Sequence, residues 1–350
     1  MGHFRHHIIK AGLEALYLTG AHYALQPFLG GVGAIFMLHH VRPRRSNTFQ
    51  PNHHLEIAPE FLRKTLTHLR NRGIDIVSLD EMRLRLTERN FGRRFACFTC
   101  DDGYRDNRDF ALPVMREFGA PFSVYVTSDF AEGTGRLWWI ALEMVIARAD
   151  RIEIEAGGRT IDTTTVTGKC DAFHVLQDRM RGLPTEADVR REMTELCARH
   201  GVDEDSISRE LCMSWAELKG FAADPLVTIG AHSISHCNLA KQSDAVAGHE
   251  MVTSRARIEE ALQRPVDHFA YPYGDRHAAD TREFDLARSM GFKTAVTTRK
   301  GMLFPGDGDN FTALPRVSLN GNYQDVRILP VLTSGAATAM WNGFRRTDAT

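Results

Sequence analysis

Two carboxylates stand side by side in Thr99-Cys100-Asp101-Asp102-Gly103, directly behind the apolar run 95–100. Their charges repel, and a cation beside them removes the repulsion and keeps both ionised near neutral pH. Successive residues at the end of a strand point different ways, so one acid can hold such an ion while its neighbour faces a substrate. Taken alone, Asp-Asp-Gly is also the composition of a polar turn that caps a helix. A second group, Gly230-Ala231-His232-Ser233-Ile234-Ser235-His236, follows another apolar run. In a helical or tightly turned segment His232 and His236 share one face. With one of the two acids they form a set of two imidazoles and one carboxylate, which leaves positions open for water and substrate as a catalytic metal requires. A third stretch, Phe269-Ala270-Tyr271-Pro272-Tyr273-Gly274-Asp275, is forced to turn by Pro272 and Gly274. There the backbone N–H of Tyr273 can face negative charge developing on a substrate oxygen, although the same composition also makes a plain tight loop.

These groups need strands to carry them. Strand-like runs at 33–38, 74–78, 95–100, 122–127, 226–231, 268–272 and 293–298 alternate with helical stretches, the pattern of parallel βα units closing into a barrel. Helices have readable ends: one opens at Pro59 and closes at Gly73, and another stops at Pro265. The alternation fails over 133–211, where 151–165 reads as a hairpin through Gly157 and Gly158, followed by helices, one with Thr185 as N-cap ending near Gly201. The expected organisation is an N-terminal helical segment (1–32), a barrel (33–132 and 212–330), an inserted α+β segment (133–211), and a C-terminal helix and tail (331–350). Trp138 and Trp139, near the start of the insertion, could stack on sugar rings or simply open an amphipathic helix.

Composition narrows the partners. In 350 residues, 43 Lys and Arg face 44 Asp and Glu, so no general field attracts nucleic acid or anionic lipid. The six cysteines are scattered through apolar or helical stretches and read as reduced core residues, not a disulfide framework or zinc knuckle. The N-terminal stretch is interrupted by Lys10, Glu14 and His22, which argues against a signal peptide, and no run is long and apolar enough to span a bilayer. Its Ile8, Ile9, Leu13, Leu16 and Tyr17 recur at helical spacing, as in a surface helix packed on the body. The sharper alternative is a lip touching membrane or a lipid-linked substrate. The run Arg42-Pro43-Arg44-Arg45 is either solvated loop charge or a phosphate contact. The expected compartment is cytoplasmic, with possible peripheral contact at the inner face of the membrane; the oligomeric state is open.

Taken in order, each behind a strand, the three motifs resemble the NodB-homology polysaccharide deacetylases, carbohydrate esterase family 4, over about 33–130 and 212–320. The resemblance implies a distorted (β/α)7 barrel and metal-dependent removal of acetyl groups from an N-acetylated polysaccharide, oligosaccharide or glycoconjugate. It implies Asp101 as general base, Asp102, His232 and His236 as ligands of one divalent ion, with zinc as default and nickel or cobalt also suited, and Tyr273 as backbone oxyanion donor. Two family features are absent from their usual places: the arginine before Pro-Tyr-Gly that orients the base, where Ala270 and Tyr271 stand, and the late Leu-x-His, replaced by a stretch with Arg316. Both departures resemble the poly-N-acetylglucosamine deacetylase branch, in which an early histidine joins the site. His39 holds that position, with His40 beside it; it either protonates the leaving amine or holds a backbone carbonyl. Rival readings are an amide hydrolase acting on a lipid-linked or non-glycan substrate with the same site, and a glycan-binding protein that has lost catalysis.

Overall fold

The longest apolar runs become strands β1 (Gly33–Leu38), β2 (Phe95–Cys100), β3 (Phe122–Val126) and β4 (Val227–Ala231), buried along nearly their whole length. Strands buried on both faces read as continuous apolar stretches, which is why they were visible in the sequence. The ring continues through β5 (His268–Ala270), β6 (Thr294–Lys300) and β7 (Leu314–Ser318). In this computed structural model, which describes residues 2–154 and 158–343, all neighbouring pairs are parallel in the order β1-β7-β6-β5-β4-β3-β2. β2 then pairs with β1 from Gly33↔Phe95 to Leu38↔Cys100 and closes the barrel.

Two strand expectations need correction. The run 74–78 gives only the pair Asp75–Ile76, which sits on the edge of β2 that β3 leaves open by joining it at Thr99 and Cys100 alone. The seventh barrel place goes to β7, where Pro315 and the charged Arg316 break the apolar pattern that marks a buried strand.

Side chains alternate across each strand, and this period of two decides what enters the barrel. Ile35, Phe95, Cys97, Tyr125, Val296 and Leu314 belong to one buried cluster together with Leu79, Met82 and Leu86 of the helix Leu79–Thr87, which plugs the amino end. Continuing the same parity toward the carboxyl ends brings Met37 and His39, Thr99 and Asp101, Thr298 and Lys300, and Arg316 and Ser318 to the opposite mouth. The alternate residues, such as Phe36, Phe98 and Val124, pack outward against helices including Pro59–Asn71 and Asp244–Leu262.

Between β3 and β4 the chain forms the helix Trp138–Arg148, an antiparallel pair of Arg151–Ile154 with Arg159–Asp162, and helices Val166–Gly182, Glu186–Arg199 and Glu204–Leu211. Gly157 of the expected hairpin turn, and the tail from 344 onward, lie outside the described residues. Thr185 caps Glu186–Arg199 by accepting from Asp188 N–H. A separate apolar cluster, with Leu142, Ile146, Phe173 and Leu196, holds these elements together and reaches Phe49 and Tyr104. Arg42 and Arg45 pair with the buried Glu56 at 2.7 and 2.6 Å, and Arg45 also holds Glu143 at 2.7 Å. Arg45 thus ties the loop after β1 to the helix Trp138–Arg148, and Arg42 shares its buried partner Glu56. The six cysteines are all unpaired and five are buried. None of the described helices is long and apolar enough to cross a membrane.

Candidate active site

β2 ends at Cys100, and Asp101 continues its inward parity: its N–H still donates to Leu38 O at 3.0 Å, while its carboxylate points into the barrel mouth. There it meets Arg316 of β7 in a two-pronged pair, with both terminal guanidinium nitrogens donating to separate carboxylate oxygens at 2.7 Å. Arg316 is itself fixed, donating Nε–H to Thr297 O at 2.8 Å and its second Nη1–H to Thr99 Oγ1 at 3.1 Å. The pair is almost wholly buried. Burial favours the neutral acid, but the guanidinium outweighs it and holds the Asp101 carboxyl below its usual range. The arginine missing before Pro-Tyr-Gly is therefore supplied from another strand, by a residue the sequence showed only as a substitute for the late histidine.

Asp102 departs from the strand. It takes a left-handed φ of 74°, Gly103 follows at 69°, and the double turn sends the second carboxylate away from the first. It meets His232 and His236, whose Nε2 atoms lie 3.5 and 3.3 Å from Asp102 Oδ1. The segment after β4 is a tight turn, not a helix: Ser233 and His236 have φ of 62° and 59°. Ser233 Oγ accepts from His236 N–H at 2.9 Å, and the Glu250 carboxylate accepts from Ile234 N–H, Ser235 N–H and Ser235 Oγ at 2.9, 2.9 and 2.8 Å.

The donor set fits a divalent cation. His232 Nδ1 lies 2.7 Å from Ala270 O, which can only accept, so the proton is on Nδ1 and the Nε2 lone pair faces Asp102. Burial lowers the His232 pKa to about 4, leaving the neutral, ligating imidazole. Burial favours the neutral acid at Asp102, but His236 and the other nearby imidazoles more than offset it and hold this carboxyl far below its usual range. Asp102 Oδ1 is buried without a hydrogen-bond donor, and the three ligand atoms lie within 4.8 Å of one another. The His232 Nε2 lone pair, Asp102 Oδ1 and His236 Nε2 thus converge as the set of two imidazoles and one carboxylate that suits a divalent cation.

His39 continues the parity of β1 to the same mouth, with Nε2 3.9 Å from Asp101 Oδ2. Burial lowers its pKa against the pull of Asp101 and Asp102. His40 points elsewhere: it stacks on Tyr104 at 3.5 Å and bonds Asp106 at 2.6 Å, while Asn107 donates to His39 O at 2.8 Å. Tyr273 is left-handed at φ 61°, and Gly274 at 57°, where a Cβ would fall 2.7 Å from Thr298 N. Thr298 anchors this turn by donating Oγ1–H to Tyr273 O at 2.6 Å and N–H to Gly274 O at 2.9 Å. Among the described residues no acceptor meets the Tyr273 N–H. Its phenol accepts from Trp138 Nε1–H at 2.9 Å, and Trp139 tilts against His236 at 4.9 Å, so both tryptophans wall the site while belonging to the core of the 133–211 segment.

All six candidate residues thus border one pocket of about 630 Å³. Other groups of the lining carry no mark in the sequence, among them His54, lowered to about 4 by burial, and Asn52. Neither sits in a motif; both follow the loop after β1 and arrive by tertiary folding.

The family model for polysaccharide deacetylase matches residues 88–295. It spans the acidic, histidine and Pro-Tyr-Gly motifs, and the chain belongs to that family. His39 and Arg316 lie outside the matched stretch. Among solved structures, the chain is similar to a Streptococcus pyogenes deacetylase, PplD, in complex with acetate (16% identity, 83% of this chain and 92% of that one, TM-score 0.55). It is also similar to the putative polysaccharide deacetylase BA0330 from Bacillus anthracis (14%, 85% and 67%, 0.53) and to IcaB from Ammonifex degensii (19%, 83% and 93%, 0.52). At these identities the likeness is one of fold. No curated protein matches the chain significantly.

Proposed function

We propose that this deacetylase hydrolyses the N-acetyl group of an amino sugar in a glycan or glycoconjugate, with a divalent ion held by Asp102, His232 and His236. The observation that carries the reading is the division of labour in the acidic doublet: Asp101 is locked in Arg316 while Asp102 faces the imidazoles of His232 and His236. When bound, the ion supplies positive charge that polarises the acetamide carbonyl and acidifies water. Zinc suits two imidazoles and a carboxylate, as do nickel and cobalt.

The chain's own residues do the rest. Asp101, kept ionised by Arg316, takes a proton from the attacking water at Oδ2. The Tyr273 N–H, which meets no acceptor among the described residues, donates to the carbonyl oxygen as it gains charge; losing one such donor costs roughly 3–4 kcal/mol in other enzymes. His39 Nε2, beside Asp101 Oδ2, passes the proton on to the departing amine, and the C–N bond breaks to give acetate and the free amino sugar. The wall of Trp138, Trp139 and Tyr273 restricts water and offers aromatic faces to a sugar ring. The acetate in the S. pyogenes relative, the acid this reaction would release, agrees with the reading.

The test is acetate release from N-acetylated chitooligosaccharides and poly-N-acetylglucosamine fragments by the zinc-loaded chain. Asp101→Asn should abolish turnover with its zinc content intact, and His232→Ala should lose both. An active Asp101→Asn variant would refute the base assignment, and stoichiometric zinc in His232→Ala would refute the ligand set.

A further inference from the structure

The catalytic pocket does not end at the sugar-sized chamber. It adjoins a second cavity of about 80 Å³, enclosed by the helices Gly2–Leu18, Ile328–Thr333 and Ala336–Trp341. Leu13, Leu332 and Met340 line this cavity, while Ile9, Lys300, Ser318, Asn320, Tyr323 and Trp341 border both spaces. The transition is from carboxylates and imidazoles to aliphatic side chains, with the Lys300 ammonium 3.8 Å over the Trp341 ring at the junction. Ser318 and Asn320 at the junction and Thr338 are the polar exceptions, so saccharide hydroxyls placed deeper, among Leu13, Leu332 and Met340, would find few partners, which is costly. A hydrocarbon chain would gain from the same surroundings. Outside the cavity the N-terminal helices keep apolar side chains in water: Leu18 of the first is 76% exposed, and Phe28 of the second, Ala21–Leu29, is 72% exposed.

We propose that the substrate is an N-acetylated amino sugar carrying an aliphatic chain, with the sugar in the catalytic pocket and the first part of the chain in the apolar groove between the terminal helices. This rests on the deacetylase reading and specifies its substrate class. The occupant is the substrate's own tail because the groove shares six wall residues with the pocket where the sugar must sit.

The experiment compares acetate release by the zinc-loaded full chain from methyl and octyl N-acetyl-β-glucosaminides, the latter below its micelle concentration. The octyl compound should show at least tenfold higher kcat/KM. Ala337 lines the groove but not the catalytic pocket, and Ala337→Phe, which fills the groove, should bring that ratio close to one. Should this variant fold poorly, inhibition of the unaltered chain decides: octyl β-glucoside should compete with substrate at least tenfold more strongly than methyl β-glucoside. Equal kcat/KM for the two substrates, with equal inhibition by the two glucosides, overturns the tail site and leaves the deacetylase reading standing. No acetate from either substrate or from the chitooligosaccharides overturns both.

Discussion

Arg316 and Asp101 show how much a single buried pair can carry. Each is charged and withdrawn from water, so neither is tolerable without the other. Arg316→Met should leave an uncompensated carboxylate and lower stability by about 3–5 kcal/mol. Adding Asp101→Asn should recover most of that stability while activity stays lost, since the base is gone. Denaturant unfolding of the single and double variants checks this, and additive losses would show that the two residues do not act as a unit. The sequence showed both partners but not their pairing, because 215 positions separate them and nothing local in Leu314-Pro315-Arg316 announces an inward-facing charge. Asp101, Asp102, His232 and His236 were legible because their chemistry is concentrated in short motifs behind strands. His39 was legible only through the family resemblance, and the structure places its ring beside Asp101.

At the scale of elements, the site is built from strand ends that leave their strands in an unfavourable conformation. Asp102, Ser233, His236 and Tyr273 all have positive φ, a region that costs non-glycine residues on the order of 1–3 kcal/mol each. Surrounding contacts must hold them there, and for the histidine turn the holder is Glu250, reaching from the helix Asp244–Leu262 to three donors of the turn. Glu250→Ala should therefore weaken zinc binding about 10–100-fold, the usual effect of removing a group that orients a ligand. The far-UV circular dichroism should be unchanged, and zinc affinity measured by competition with a chelator checks it; unaltered affinity would mean that the turn holds itself. Sequence spacing left the segment either helical or tightly turned, and it could not choose because left-handed residues other than glycine have no compositional mark. The strands divide in the same way: β1 to β4 were legible as apolar runs, whereas β7 was hidden by its proline and arginine and 74–78 looked like a barrel strand without becoming one.

For the whole molecule, the closed barrel makes metal binding and folding inseparable. Asp102 follows β2, the two histidines follow β4, and the carbonyl that orients His232 belongs to Ala270 at the end of β5. An unfolded chain scatters these groups, so the folded state alone presents the set, and an ion bound to it must raise the melting temperature. At a free zinc concentration 100 times the dissociation constant the stabilisation is about 2.7 kcal/mol, a rise of several degrees for a chain of this size. Asp101→Asn should keep that rise, because its side chain faces Arg316, while Asp102→Asn should lose most of it. Thermal scans at one rate, with and without zinc, on all three proteins check the assignment. If both aspartate variants lost the rise equally, the two carboxylates would share the ion, and the separation of base from ligand would have to be abandoned even with the barrel and its pocket unchanged.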